Sequence, residues 1–483
     1  MLKKLQRLAS DTAIYGISTI VGRFLTFLLV PFYTNVLPPS DYGIIAYVFS
    51  LIAFINVIYS YGMESAFFRY ASSLEIGTQK QNFSTPFYSL LISSLFLSAV
   101  ISFFAKSFVG LANFPEKNSI IIHYVAWILF FDALSILPFA SLRMENKPKI
   151  FSLIKIINII SNVVCNIILL VYLHGGIEGV FLSNLIASAL TFIILLPIIW
   201  KNLELSFISD LYWNLLKFGL PYIPAGIATM MVQVVDRPIL RALTNDTTVG
   251  IYQANYRLGI IMMLVVSMFD YAWRPFFLSN AKEENAKEIF SEILTYFFLF
   301  MTLIFLLTTF FLDDIINLEI GGRHIIHPQY WSGLGIVPII LLGYMCLGVS
   351  NNMIAGIYIE KKTKWLPSIT FIGAISNIAI NFLFIPRFGI YGAAWATFFS
   401  YFFMALILYY RVQKIYPVQY EFYRIFKICL AAFLAFIGFQ LIKELPYLFF
   451  LKIILLLIFI YFLYLLDFFS KEQPQKIKKM HPF

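Results

Sequence analysis

Fourteen runs of predominantly apolar residues follow one another along the chain, the first at residues 12–37 and the last at 449–469. A helix rises 1.5 Å per residue, so a run of about 20 apolar residues matches the roughly 30 Å hydrocarbon thickness of a bilayer. Between the runs lie short connections, and the longest, residues 313–332, is too short for a catalytic domain. Composition agrees: 60% of the 483 residues are hydrophobic and 12% charged, against roughly 25% charged in an average soluble protein. The expected fold is an all-α polytopic membrane protein with about 14 transmembrane helices.

An even number of crossings puts both termini on one side, and Lys and Arg select it. Of 35 such residues, 23 lie in the two tails and the connections on their side, 8 lie in the opposite connections, and Arg23, Lys155, Lys217 and Arg257 lie within runs. By the positive-inside rule both termini are cytoplasmic. The net charge of +10 thus reports topology, and no nucleic acid partner is expected. Cys165, Cys346 and Cys429 each fall inside an apolar run, so neither a disulfide framework nor a metal site is expected. Lys3, Lys4 and Arg7 ahead of an apolar run outline a signal sequence. The run is too long for one and no small-residue cleavage pattern follows, so it reads as an uncleaved first span.

The chain also repeats itself. Tyr15-Gly16 returns as Phe218-Gly219, and Asp41-Tyr42-Gly43 as Thr248-Val249-Gly250. Ile160-Ser161-Asn162-x-x-x-Asn166 returns as Ile375-Ser376-Asn377-x-x-x-Asn381, and Gly176-Ile177-Glu178-Gly179 as Gly389-Ile390-Tyr391-Gly392. Each copy holds six runs, and because six is even the copies share one orientation. Parallel repeats of this kind commonly enclose a substrate site near the bilayer midplane. The expected organisation is an N-terminal six-helix half at 1–205, a C-terminal half at 206–414 around a central cavity, and two further helices with a cytoplasmic tail at 415–483.

Local motifs add to this layout. Leu216-Lys217-Phe218-Gly219-Leu220-Pro221-x-x-Pro224 leads to Asp236-Arg237 and then to Val249-Gly250-x-Tyr252 and Tyr256. Near the N-terminus stand Gly22-Arg23-Phe24, Leu37-Pro38-x-x-Asp41-Tyr42-Gly43 and Gly62-Met63-Glu64-Ser65-Ala66-x-x-Arg69-Tyr70. With the arrangement of six, six and two spans, these motifs resemble the polysaccharide branch of the multidrug/oligosaccharidyl-lipid/polysaccharide exporter superfamily, the O-antigen and capsule-repeat flippases. The resemblance covers most of the chain. It implies movement of an undecaprenyl-pyrophosphate-linked oligosaccharide from the cytoplasmic to the outer leaflet of a bacterial inner membrane, in lipopolysaccharide or capsule synthesis. It also implies a polysaccharide polymerase as a further partner, beside the membrane lipids.

An ionisable side chain at the bilayer centre costs roughly 2.5–3.5 kcal/mol on insertion scales, so it faces a cavity or a partner. Arg23 in the first run and Arg257 in the eighth are candidates to bind a substrate pyrophosphate through forked hydrogen bonds; the alternative for Arg23 is a structural pair with Asp132. Asp132 and Asp270 either tune that positive field, bind a coupling H⁺ or Na⁺, or neutralise a nearby arginine. Glu64 and Arg69 form a gate pair or an interfacial one. Asp236-Arg237, at the outer end of the seventh run, latches the outward gate or caps its helix. Asn158, Asn162 and Asn166 recur every four residues and so share one helix face, echoed by Asn377 and Asn381. Such a stripe lines a sugar path or serves as interhelical glue; Asn162 and Asn166 are the candidates for substrate contact. Pro221 and Pro224 remove backbone donors and bend the seventh helix as a hinge or a static kink. Lys155 and Lys217 are expected to snorkel, His324 and His327 to be surface residues, and the 52 Phe residues to face lipid or line a polyprenyl groove.

No Gly-x-x-x-x-Gly-Lys-Ser/Thr loop is present to cradle nucleotide phosphates. No cofactor is expected, and energy must come from an ion gradient or from consumption of the product. The expectation is therefore a flippase and not an enzyme. A drug/cation antiporter of the same superfamily would favour an anionic cavity and twelve helices, and a membrane polymerase or ligase would require a substantial external loop.

Overall fold

The structure is a computed structural model that describes residues 29–111, 118–443 and 448–469. Arg23 lies outside the described residues, as does most of the first span, of which residues 29–36 are seen as helix. Among the described residues thirteen helical segments are long and apolar enough to cross a membrane. The architecture is all-α and polytopic apart from one two-stranded hairpin, β1 (Glu319–Ile320) with β2 (Arg323–His324).

The chain divides into two compact units. The first comprises residues up to 260 with 326–340 and 364–404. It contains α1 (Pro39–Ser60), α2 (Met63–Ser73), α3 (Gln79–Phe103), α4 (Ala105–Leu111), α5 (Ser119–Met144), α6 (Pro148–Ile167) and α7 (Gly176–Asn202). Next come α8 (Ser209–Gly219), α9 (Tyr222–Val234), α10 (Asp236–Leu243) and α11 (Asp246–Leu258). The second unit comprises 261–325, 341–363 and the residues from 405 on. Its elements are α12 (Ile260–Asn280), α13 (Ala286–Phe310), α14 (Leu312–Asn317), the end of α15 (Val337–Met353) and α16 (Ala355–Ile359). The first unit also takes α17 (Trp365–Phe388) and most of α18 (Ile390–Ile415), and the second closes with α19 (Phe422–Ile442) and α20 (Leu448–Leu465).

In the first unit, helices meet where side chains are absent. A Cβ on Gly43 would lie 1.8 Å from the Asp246 carbonyl oxygen, and one on Gly250 would lie 1.9 Å from that of Pro39. The N-terminal ends of α1 and α11 therefore touch backbone to backbone, as small residues permit in membrane helices. The second predicted span, 42–71, is broken at Tyr61-Gly62, where φ is +28° and +73°. Gly62 tolerates that backbone and presses on Gly219, whose carbonyl oxygen would lie 2.2 Å from a Cβ at 62. The seventh run is likewise two helices, because Pro221 ends α8 and precedes α9. Pro224 falls in the first turn of α9, where its missing donor has no intrahelical partner to lose. The prolines thus interrupt the single span Ser209–Val234 at the place where the kink was expected. The eighth run divides as well, at Gly259 between α11 and α12.

The second unit is held by aromatic and ionic contacts of its own. Phe269 stacks on Phe297 with centroids 3.7 Å apart, and Phe310 on Phe439 at 4.7 Å. The Trp273 indole donates to the Asn352 carbonyl at 3.1 Å. Lys452 on α20 is 1% exposed and pairs with Asp314 of α14. Phenylalanines such as Phe96, Phe103, Phe371, Phe433 and Phe450 are exposed on the helices, as a lipid-facing surface requires.

Candidate functional site

Within the first unit a cavity of about 710 Å³ opens between α1, α5, α6, α7 and α9. Its walls hold Asp132 and Ser135 from α5, Lys155, Asn158 and Asn162 from α6, Asn184, Ser188 and Thr191 from α7, and Asn56 and Ser60 from α1. Only Met230 comes from beyond residue 205. Helical spacing of four places Asn158 and Asn162 on one face of α6, and Lys155 one turn before Asn158 extends that stripe.

Several of these polar groups have protein partners. Asp132 accepts from the Ser188 hydroxyl at 2.8 Å. Lys155 carries its ammonium 4.3 Å from the centre of the Phe139 ring, a cation–π contact. It is exposed and lines the cavity. No ion pair within 4.0 Å joins it to Asp132. Asn158 donates to the Ala187 carbonyl at 3.1 Å and to Thr191 Oγ1 at 2.8 Å, so its nitrogen is interhelical glue. Asn166 is 0% exposed, donates to Asn162 O and Oδ1 at 2.8 and 3.1 Å, and accepts from the Tyr33 hydroxyl at 3.0 Å. It braces the wall, whereas Asn162 forms it. Asn377 and Asn381 repeat the same device on α17, at 2.8 and 2.7 Å.

The other candidates are placed elsewhere. Arg257, near the end of α11, is half-buried and within electrostatic reach of the Tyr33 and Tyr42 hydroxyls. Among the described residues no hydrogen bond or ion pair takes up its guanidinium, which leaves it able to hold an anion. Asp270 is held by both carboxylate oxygens to Arg274, one turn along α12, at 3.0 and 3.1 Å; of the readings open for it, neutralisation of an arginine is the one this geometry displays. Glu64 and Arg69 are not paired with each other. Glu64 pairs with Arg143 at the end of α5, and Arg69 lies over the Phe218 ring of α8 at 5.3 Å. Sequence proximity favoured the local pair, but α5 and α8 bring closer partners.

Asp236 and Arg237 are neither exposed latch nor simple cap. They are 2% and 5% exposed and form an ion pair at 2.6 Å. Tyr252 donates to Asp236 at 2.5 Å. Arg237 donates to Gln253 Oε1 at 3.1 Å and to the Gln233 carbonyl at 2.7 Å, and lies 4.2 Å over the Tyr256 ring. The knot ties α9, α10 and α11 together.

A family model described as polysaccharide biosynthesis protein matches residues 8–281, more than half of the chain. The chain belongs to that family. The helical layout of this polysaccharide biosynthesis protein is also found in solved structures. It resembles "Lipid II flippase MurJ, inward closed conformation" at a TM-score of 0.77 and 18% identity, over 95% of this chain and all of that one. It also resembles an inward-facing multidrug resistance MATE family transporter at 0.63 and 13%, over 81% of this chain and 94% of that one. At these identities the likeness is one of fold. Among curated proteins, a protein of the Lsg locus of Haemophilus influenzae is 20% identical over 77% of this chain and 96% of its own length. An uncharacterised membrane protein of Methanocaldococcus jannaschii, MJ1068, is 26% identical over 45% of this chain, which spans 42% of that protein's length. The polysaccharide family drawn from the motifs is thus shown, as is the MurJ/MATE-like all-helical fold.

Asn56, Asn184 and Ser188 were missed in the sequence. Asn56 lies inside an apolar run, and Asn184 and Ser188 share theirs with Ser183 and Thr191, so none stood out against its neighbours. A count of carboxamides per run would have drawn attention to α6, which carries Asn158, Asn162 and Asn166.

Proposed function

We propose that this polysaccharide biosynthesis protein is a lipid-linked oligosaccharide flippase that moves undecaprenyl-pyrophosphate-linked repeat units from the cytoplasmic to the outer leaflet of a bacterial inner membrane, both termini being cytoplasmic. The observation that carries this reading is the cavity: about 710 Å³, lined by carboxamides, hydroxyls and one charge of each sign in helices otherwise fit for lipid. Polar groups at that depth persist only where they meet water, each other or cargo. Two halves, 1–205 and 206–414, work by alternating access, with 415–483 appended. Arg257, unpaired among the described residues, and Arg23 hold the pyrophosphate. Asp132 is the site of a coupling ion or of charge tuning.

The antiporter of the same superfamily is the second reading. It calls for an anionic cavity, and Lys155 opposite Asp132 leaves the described walls without net charge. The deciding experiment measures the undecaprenyl-pyrophosphate-linked oligosaccharide pool in host cells lacking the gene, or carrying wild type or Arg257→Ala. Accumulation with loss of surface polysaccharide, reversed by wild type and not by the variant, is the expected result. An unchanged pool overturns the assignment.

A further inference from the structure

The cavity holds a carboxylate and an ammonium that do not meet. Asp132 is drawn to Ser188 on one wall and Lys155 to the Phe139 ring on another. Opposite charges facing the same cavity without contact leave a gap suited to a group that donates to one and accepts from the other. Adjacent hydroxyls on a sugar ring do so with a single ligand: one donates to Asp132 and its neighbour accepts from Lys155.

The surrounding amides fit the same ligand. Asn56 and Asn184 line the cavity, and among the described residues neither side chain has a protein hydrogen-bond partner. Asn162 accepts from Asn166 and keeps its own amide donors for the cavity. Asn158 spends its donors on Ala187 and Thr191 and keeps its oxygen. The set therefore mixes donors and acceptors and carries one charge of each sign. An anionic ligand would meet Asp132, a cationic one Lys155, and an apolar one would strand the amides at about 1–3 kcal/mol each. The volume lies within the roughly 300–1,000 Å³ that encloses a drug-sized ligand, enough for a short saccharide.

We propose that this cavity is a sugar subsite that takes an uncharged, hydroxyl-rich ring, with Asp132 and Lys155 bracketing adjacent hydroxyls and Asn56, Asn162 and Asn184 reading the rest. Its place in the cargo path rests on the flippase reading; its ligand chemistry does not. The test uses the purified full-length protein in lipid nanodiscs and a panel of neutral hexosides, N-acetylhexosaminides, glucuronate and glucosamine, read by saturation-transfer NMR and calorimetry. At least one neutral saccharide binds saturably and more tightly than glucuronate and glucosamine. Asp132→Asn and Lys155→Gln each weaken it by about tenfold, as loss of a hydrogen bond to a charged group predicts. Asn184→Ala, which breaks no protein hydrogen bond and so leaves the fold intact, weakens it as well. Absence of neutral-sugar binding, tighter binding of a charged sugar, or unchanged affinity in all three variants overturns the proposal. The cellular pool separates the two readings. If deletion accumulates lipid-linked cargo but Asn184→Ala and Lys155→Gln clear it at the wild-type rate, the subsite fails and the flippase stands. If deletion leaves the pool unchanged while neutral sugars bind, the flippase fails and the subsite stands.

Discussion

At the scale of single residues, burial decides what a charge can do. Asp236 and Arg237 are neighbours in sequence, yet their pairing would be a weak surface contact were they not covered. Buried with Tyr252, Gln253 and Tyr256, they have no water to replace a lost partner. Arg237→Ala leaves the Asp236 carboxylate uncompensated and is expected to destabilise by about 3–5 kcal/mol. Arg69→Ala removes an exposed cation–π contact and is expected to change stability by no more than about 1 kcal/mol. Thermal unfolding in detergent compares the two, and equal unfolding temperatures would contradict the buried knot. The sequence placed Asp236 and Arg237 at the outer end of the seventh run and left open whether they latch a gate or cap the helix, because their burial depends on α11. It did not show Arg143 as the partner of Glu64, because 79 residues separate them and only the fold brings α2 and α5 together.

Among elements, glycine sets how closely helices approach. The Gly43–Gly250 contact joins the starts of α1 and α11 with no room for a methyl group. Gly43→Ala is therefore expected to force the helices apart and destabilise by about 1–3 kcal/mol. Gly110, with nothing within 4 Å of its Cβ position, is the control. Gly110→Ala in α4 should be neutral or stabilising by up to about 1 kcal/mol. Equal effects in the unfolding assay would remove steric contact as the explanation. The repeat motifs have a related cause. Gly176 and Gly389 both adopt positive φ, +50° and +54°, immediately before the helical Ile177 and Ile390. Gly179 and Gly392 then bring those helices against the preceding ones, at Leu169 and at the Phe384 backbone. The Gly-Ile-x-Gly match thus coincides with a positive-φ glycine at the start of each helix.

For the molecule as a whole, α1 carries two such contacts, Gly43 with α11 at one end and Gly62 with Gly219 just beyond the other. Asn56 faces the cavity between them. The alternating access proposed above requires that one contact open while the other holds. In a protein whose Cys165, Cys346 and Cys429 are replaced by Ser, Asn56→Cys serves as a probe for membrane-impermeant thiol reagents. Gly43→Leu is expected to raise its labelling from the outer side and Gly62→Leu from the cytoplasmic side. Labelling that rises equally from both sides in both variants would contradict two separate gates.

The sequence by itself determined the membrane class, the helical fold and the family, because hydropathy, charge placement and helical periodicity act over one run at a time. The interruption at Leu220-Pro221 was legible in the prolines, whereas tertiary structure alone decided that the second and eighth runs break at Tyr61-Gly62 and Gly259, because close contacts there leave no room for a side chain. It alone gathered Asn56, Asp132, Lys155 and Asn184 around one cavity, because residues far apart in the chain become neighbours only when helices pack.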